Sequence, residues 1–379
     1  MRIILSANTS WYLWNFRGNL IRKLLVDGHD VTVVSPKDNS SSKLKDLGCR
    51  VIDLPISGHG RNIVQEVLIC IKYLRIFLRH APNVFLGFTV KPVIYGGIAA
   101  RLCRIRSVLT ITGLGTIFIR ETKATRLIEF LYKFSLHRAS IVFFQNNDDL
   151  SMFVNRGLVS SNNSTLVPGS GVDLTHFAYT PKYNQVNAEI ITFLMVARLI
   201  RDKGICEYAE CARIIQGKYP RARFILAGSY DLNNPTSISP SMISTWEKNG
   251  PVEYLGNIEN IVPVIQNTDC VVLPSYREGM PRTLLEASAI GRPVITTDVP
   301  GCREVVDEGV NGFKCRSRDT EDLARRIEQF INLPRIVHRE MGRQGRQKME
   351  RQFDEKIVIN QYILAVKTIV TGKDVLSLR

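Results

Sequence analysis

Apolar residues along the chain follow two periods. Short unbroken runs, such as Ile3-Ile4-Leu5 and Cys270-Val271-Val272-Leu273, suit strands buried on both faces. Between them apolar positions recur every three or four residues, as on one side of a helix. In the first half the pattern predicts strands over Arg2 to Ala7, Val31 to Ser35, Val51 to Leu54, Val84 to Gly87 and Val108 to Thr112, with Ile141 to Gln145 as the last strand of that half. Helices are expected over Phe16 to Asp27, Ile63 to Leu78 and Tyr95 to Cys103, and another begins at the capping run Asn146-Asn147-Asp148-Asp149. Asn8 to Asn15 is expected as a loop. The second half predicts strands over Ile190 to Val196, Phe224 to Gly228, Val252 to Leu255, Cys270 to Pro274 and Pro293 to Thr297. Its helices are expected over Asn260 to Asn267, Thr283 to Ile290, Thr320 to Leu333, Val337 to Gln352 and Phe353 to Val370, with Asp231 to Ser241 as a polar loop. Strand and helix alternate throughout, which is the pattern of an α/β protein with parallel sheets. At 379 residues there is room for two such domains.

The chemistry concentrates between Tyr276 and Glu304. Glu278 and Glu286 stand eight positions apart. Gly279, Met280 and Pro281 make a turn after a strand, and Pro281 suits the first turn of the helix that follows. Gly291 stops that helix. One carboxylate is thus on a loop and the other on a helix. The helix start, at a strand's carboxyl end, offers unpaired N–H groups suited to a phosphate. The plain alternative is a capped helix with two exposed glutamates.

This spacing, with Gly291-Arg292-Pro293-Val294 behind it, resembles the sugar-nucleotide site of the retaining glycosyltransferases of family 4. The resemblance implies the GT-B architecture: two Rossmann-like domains facing across a cleft, with a C-terminal helix crossing back to the first. On that plan residues 1–178 are an acceptor domain, 179–189 a linker, 190–352 a nucleotide-sugar donor domain and 353–379 the returning helix. Glu278 would orient the donor sugar and Glu286 would hold the ribose hydroxyls. Ala197-Arg198-Leu199-Ile200-Arg201-Asp202-Lys203-Gly204 resembles the family's second signature, in which Arg198 and Lys203 would clamp the leaving diphosphate. Fixed cations stabilise charge that develops as the bond to phosphate breaks. The alternative is two surface cations on a turn. By resemblance, Gly228, Tyr254, Gly256 and Asn257 would line the base and ribose, with Gly279, Met280, Pro281, Thr283 and Leu284 completing the donor site. No Asp-x-Asp motif occurs, so a metal-independent reaction without cofactor is expected. Retention implies attack on the face the diphosphate leaves, that phosphate taking the acceptor's proton, so no protein base is assigned.

The first half carries the resemblance more weakly. The loop predicted after the first strand holds Trp11, Tyr12 and Trp14 where relatives often have glycines; these aromatics are packing or a wall for an acceptor. Arg17, Lys91, Thr112 and Gly113 are the candidate acceptor-side residues. Many relatives place a histidine near this loop, whereas none occurs here between His80 and His137. Lys91-Pro92 and Thr112-Gly113-Leu114-Gly115 resemble a bacterial surface-polysaccharide branch. From Arg101 to Arg138 eight Lys or Arg interleave with Ile117, Phe118, Ile119, Leu127 and Phe130. That region is either a solvated basic helix face or a dock for anionic lipid.

Composition narrows the partners. The net charge is +15, which suits phosphorylated substrates or an anionic membrane; no nucleic-acid-binding motif is found. Eight scattered cysteines without a C-x-x-C pair indicate a reduced cytosolic protein without structural zinc. Neither a leader nor an apolar run of about 18 residues is seen, so peripheral contact at the inner face of the cytoplasmic membrane is expected. The reading is transfer of a hexose or N-acetylhexosamine from a nucleotide sugar, expected to be UDP-linked, to a lipid-linked glycan. Alternatives are a UDP-sugar 2-epimerase and a non-catalytic membrane assembly subunit.

Overall fold

A computed structural model describes residues 1–56, 63–114, 123–181, 190–232, 234–250 and 252–371. It divides into two compact units, residues 1–170 with 356–379, and residues 171–355. The first unit therefore takes its chain from both sides of the second.

Unit 1 holds seven strands: β1 (Arg2–Ser6), β2 (Asp30–Ser35), β3 (Arg50–Asp53), β4 (Val84–Phe88), β5 (Arg106–Ile111), β6 (Ile141–Phe144) and β7 (Ser164–Leu166). They lie parallel in the order β3-β2-β1-β4-β5-β6-β7. In β1, Ile3 sits opposite Val31 on one side and Val84 on the other. Alternate residues feed two core layers, because strand side chains point to opposite faces. Ile3 and Leu5 pack with Leu13, Leu20, Tyr362 and Val366; Ile4 packs with Tyr73, Phe77, Phe85 and Tyr132. The helices are α1 (Ser10–Val26), α2 (Ser40–Asp46), α3 (Ile63–His80), α4 (Gly97–Leu102), α5 (Lys123–Leu136) and α6 (Asn147–Asn155).

Three expectations change here. Helix α1 starts at Ser10, because the Thr9 hydroxyl accepts the Tyr12 N–H at 3.0 Å and caps it; Trp11 to Trp14 are helical rather than loop. Beyond β6 the sheet gains β7, a three-residue edge strand too short to show a period. At Pro92–Gly96 the backbone runs as a π-turn into α4, so the small-residue helix starts earlier than Tyr95. Of the mixed basic and apolar region, residues 115–122, with Ile117, Phe118 and Ile119, lie outside the described residues, as does Gly115.

Unit 2 holds β8 (Ile191–Val196), β9 (Ala222–Ala227), β10 (Val252–Tyr254), β11 (Cys270–Leu273), β12 (Val294–Thr297) and β13 (Gly312–Cys315), parallel in the order β10-β9-β8-β11-β12-β13. Its helices are α7 (Ile205–Lys218), α8 (Pro240–Asn249), α9 (Val262–Gln266), α10 (Arg282–Ile290), α11 (Thr320–Ile331) and α12 (Arg335–Lys348). The loop expected to run to Ser241 ends at Ser239, whose hydroxyl caps α8. The last helix, α13 (Glu355–Thr371), places Val358, Tyr362 and Val366 in the core of unit 1. Among the described residues no helix is long and apolar enough to cross a membrane.

Candidate active site

In an open parallel sheet, ligands bind past the strands' carboxyl ends where strand order reverses. In unit 2 that point lies between β8 and β11, which pair directly. The two signatures follow those two strands: the loop after β8 carries Arg198 and Lys203, and the loop after β11 carries Glu278.

The two loops are stitched together. A single turn of tight helix spans Arg201–Lys203 and ends at Gly204, whose φ is +76°. A Cβ at Gly204 would lie 2.1 Å from the Pro274 carbonyl oxygen, so only glycine lets the loops approach. The Tyr276 N–H donates to the Asp202 carbonyl at 2.9 Å. Ser275 Oγ lies 3.1 Å from that carbonyl and 2.8 Å from Glu278 Oε1, and its single proton serves one of them at a time. Lys203 Nζ donates to the same Glu278 oxygen. From the other side the Glu278 N–H donates to Pro300 O at 3.2 Å. Gly301 (φ +84°) leaves no room for a Cβ, which would lie 2.5 Å from Glu278 O. Glu278 and Lys203 thus form a partly buried pair on a rigid support.

Glu286 lies one turn along α10. Burial pushes its carboxyl above the usual range, against the opposing pull of Arg282, whose Nε donates at 2.9 Å, and of His176. Pro281 is extended and caps α10 from just outside it, one residue earlier than the sequence pattern suggests. Thr283 Oγ1 donates to Val196 O at 3.1 Å, tying the helix start to the end of β8. Leu284 is fully buried in the core, and Met280 packs against it.

The remaining donor-side residues form a second cluster on the same edge. The Gly228 N–H donates to Gly256 O, and the Tyr254 hydroxyl donates to Gly228 O, both at 2.8 Å. Gly228 passes so close to β8 that a Cβ would meet Ala197 O at 1.8 Å. The Tyr230 ring stands edge-on to Tyr254 at 5.9 Å, and burial pushes the Tyr254 phenol up to about 12. Asn257 is exposed. Arg198 is more than half exposed and pairs with Asp231 at 3.0 Å, apart from the Lys203–Glu278 pair. Among the described residues no group of three or more His, Cys, Asp or Glu could hold a metal ion.

Unit 1 treats its candidates differently. Arg17 is 2% exposed, its guanidinium 4.6 Å above the Phe88 ring and 5.2 Å above Tyr362. It is packed between Phe88 at the end of β4 and Tyr362 of α13 rather than open to an acceptor. Lys91 is paired with Glu66. Thr112 and Gly113 follow β5 and are partly exposed. Sequence reasoning missed Ser275, Arg282, Asp231 and Tyr230. Only Arg282 carried a signal, its i,i+4 spacing to Glu286 on a predicted helix.

Two parallel α/β units, one bearing cations and carboxylates at its switch point, define a GT-B enzyme. Two family models match, one on each half: "Glycosyl transferase 4-like" over residues 2–146 and "Glycosyl transferases group 1" over residues 180–348. The chain belongs to these family-4-like, group 1 glycosyltransferases. It is 29% identical over 381 residues to N,N'-diacetylbacillosaminyl-diphospho-undecaprenol alpha-1,3-N-acetylgalactosaminyltransferase of Campylobacter jejuni, covering 96% of this chain and 97% of that protein. It is 24% identical to an Escherichia coli UDP-Gal:alpha-D-GlcNAc-diphosphoundecaprenol alpha-1,3-galactosyltransferase, covering 80% and 78%. Among solved structures, Anabaena Alr3699/HepE in complex with UDP and glucose matches in fold with a TM-score of 0.79 at 18% identity, over 98% of this chain and 100% of that one. Sucrose-phosphate synthase from Thermosynechococcus elongatus matches with a TM-score of 0.80, also at 18% identity, over 98% and 100%.

Proposed function

We propose that this glycosyltransferase moves a hexose or N-acetylhexosamine, with retention, from a UDP-sugar to a glycan carried on a lipid diphosphate, at the inner face of a bacterial membrane. The observation that carries the donor side is the Lys203–Glu278 pair at the β8/β11 switch point. Lys203 comes to the diphosphate as that group accumulates charge, and Glu278 is released to accept sugar hydroxyls. Arg198, tethered only at the surface, swings from Asp231 to the same phosphates. Glu286 accepts the ribose hydroxyls, and the glycine-lined edge at Gly228 and Gly256 admits the base close to backbone. In the transfer, the acceptor oxygen bonds to the anomeric carbon as the bond to the β-phosphate breaks. The acceptor proton passes to the departing phosphate oxygen. The reaction needs no metal, since side-chain cations balance the leaving group. The acceptor assignment is supported by the two relatives, whose names both specify undecaprenyl-diphosphate sugars, one of them over nearly its whole length.

The test is a screen of UDP-, GDP- and ADP-sugars for turnover with a chelator present. One UDP-sugar is expected to release nucleotide, slowly alone and faster with an undecaprenyl-diphosphate glycan. Lys203→Ala is expected to lower that turnover about 10²- to 10³-fold, the size seen when a donor aimed at developing charge is removed. Folded protein that binds no nucleotide sugar, or full activity in Lys203→Ala, would refute the reading.

A further inference from the structure

The segments that follow β8 and β11 are joined a second time, outside the Lys203–Glu278 pair. Tyr276 lies two residues before Glu278. Its hydroxyl donates to Glu207 Oε1 at 2.5 Å. Glu207 stands four residues after Lys203, in the first turn of α7, where the helix N–H groups favour a carboxylate. Its second oxygen, Oε2, is buried and has no hydrogen-bond partner among the described residues. Tyr208, the next residue, is fully buried in the core of unit 2 and fixes that turn of helix. Burial, and after it the Glu207 carboxylate, pushes the Tyr276 phenol up, so the hydroxyl stays protonated and keeps donating.

A third segment covers the Tyr276 ring. The Arg318 guanidinium lies 4.5 Å from the ring centroid, a cation over an aromatic face. Arg318 holds φ at +60°, a left-handed conformation that a residue with a Cβ seldom adopts, immediately before the α11 cap Asp319. Such a backbone persists where its surroundings fix it, and it clusters near working sites. Tyr276 is therefore gripped three ways. Glu207 takes its hydroxyl, the Asp202 carbonyl takes its N–H, and Arg318 lies over its face. None of these contacts uses a side chain that the donor needs.

We propose that Glu207 and Tyr276 are positioning residues, a hydrogen-bonded clasp that keeps the segments after β8 and β11 in register while the Lys203–Glu278 pair opens onto the donor. The proposal rests on the donor reading, in which Lys203 leaves Glu278 for the diphosphate and Glu278 turns to the sugar. That exchange removes one link between the two segments at the moment when their spacing sets the geometry of transfer. The Glu207–Tyr276 bond crosses between the same segments with its polarity reversed, the acid on the first and the proton donor on the second. A diphosphate draws Lys203 away, but it is repelled by the Glu207 carboxylate, so the second link survives donor binding. Groups held in place beforehand need not reorganise as charge develops on the leaving phosphate. Misplacing a reacting group by about 1 Å costs on the order of 10²-fold in rate, so a partial loosening of the clasp is read in turnover.

The test compares Tyr276→Phe, Glu207→Ala and Glu207→Gln with the parent chain on the UDP-sugar that the parent hydrolyses, with UDP alone as the binding probe. Tyr276→Phe keeps the ring under Arg318 and removes only the hydroxyl. Its kcat, counted per UDP-binding site, is expected to fall about tenfold, with donor KM and the Kd of UDP within about twofold of the parent. Glu207→Ala is expected to lose as much. The double variant Tyr276→Phe/Glu207→Ala is expected to lose no more than either single one, because all three remove the same bond. Glu207→Gln keeps an oxygen that accepts the phenol, so its kcat is expected to stay within about threefold of the parent. A role confined to stability would lower Tm and the number of UDP-binding sites while leaving kcat per site unchanged, and that result would overturn the clasp. So would additive losses in the double variant, a loss confined to KM, or a Glu207→Gln chain as slow as Glu207→Ala. Lys203→Ala, run alongside, separates the two failures. A slow Lys203→Ala beside an unaffected Tyr276→Phe removes the clasp alone, whereas a fully active Lys203→Ala removes the donor reading and the clasp with it.

Discussion

Glu286 shows how the site sets stability against binding. Its folded carboxyl titrates above the ordinary range of about 4.3, chiefly through burial. The sign is the reverse of a salt-bridged carboxylate: the folded state favours the protonated form, so stability is lost as pH rises above the ordinary carboxylate range. Donor binding needs the ionised form, so the donor KM is expected to rise as pH falls, beginning at a higher pH than an exposed glutamate would set. Glu286→Gln keeps an acceptor for Arg282 but removes the charge. Its KM is expected to be high and free of that inflection, while its Tm at neutral pH rises on the order of 2 °C. Steady-state kinetics across pH and a melting curve check both. A KM inflection that survives in Glu286→Gln would assign the titration to another group. Glu286 and Glu278 were legible because their spacing bridged a predicted turn and helix. Ser275 was not, because a serine three residues before a glutamate is unremarkable until the fold brings Asp202 to its other side.

At the level of elements, close approach of loops decides what the sequence conceals. The β8 and β11 loops meet at Gly204, and a methyl there has nowhere to go. Gly204→Ala is expected to destabilise the protein by on the order of 2–3 kcal/mol, from the positive φ and the displaced Pro274 carbonyl together. It should also weaken activity, since Lys203 is its neighbour. Urea denaturation followed through unit 2 should show a lower midpoint at unchanged slope. An unshifted midpoint would mean that the loops separate at no cost. Most strands were readable because unbroken apolar runs allow little else in a two-layered sheet. Helix α1 was misplaced at its start because the stretch after β1 was expected to be the loop at the strand's carboxyl end, while the signal that mattered was one threonine hydroxyl at position 9. β7 and α8 escaped for want of length: three strand residues or a polar ten-residue helix leave little periodicity to detect.

For the whole molecule, the two α/β units and the family were legible in repeated strand–helix alternation and the two signatures, whereas the inward turn of Arg17 depended on where α13 packs. Tyr362 shows that dependence: its hydroxyl meets Thr110 Oγ1 at 2.6 Å and its ring packs on Phe88 and Phe143. Tyr362→Ala is expected to cost about 3–5 kcal/mol, the range for emptying a large aromatic site. Ending the chain at residue 354 should leave unit 1 unable to fold cooperatively, while unit 2 keeps its core, as limited proteolysis would reveal; a protease-resistant 1–170 fragment would contradict this. The interleaving also orders events on the ribosome. Unit 2 is contiguous and emerges whole, but the first 170 residues wait through its entire synthesis before α13 arrives to close their core. A nascent chain interrupted anywhere before Tyr362 presents the unfilled face of Leu13, Leu20 and Phe88 to chaperones and proteases, so an incomplete enzyme is marked for removal by its own earliest segment.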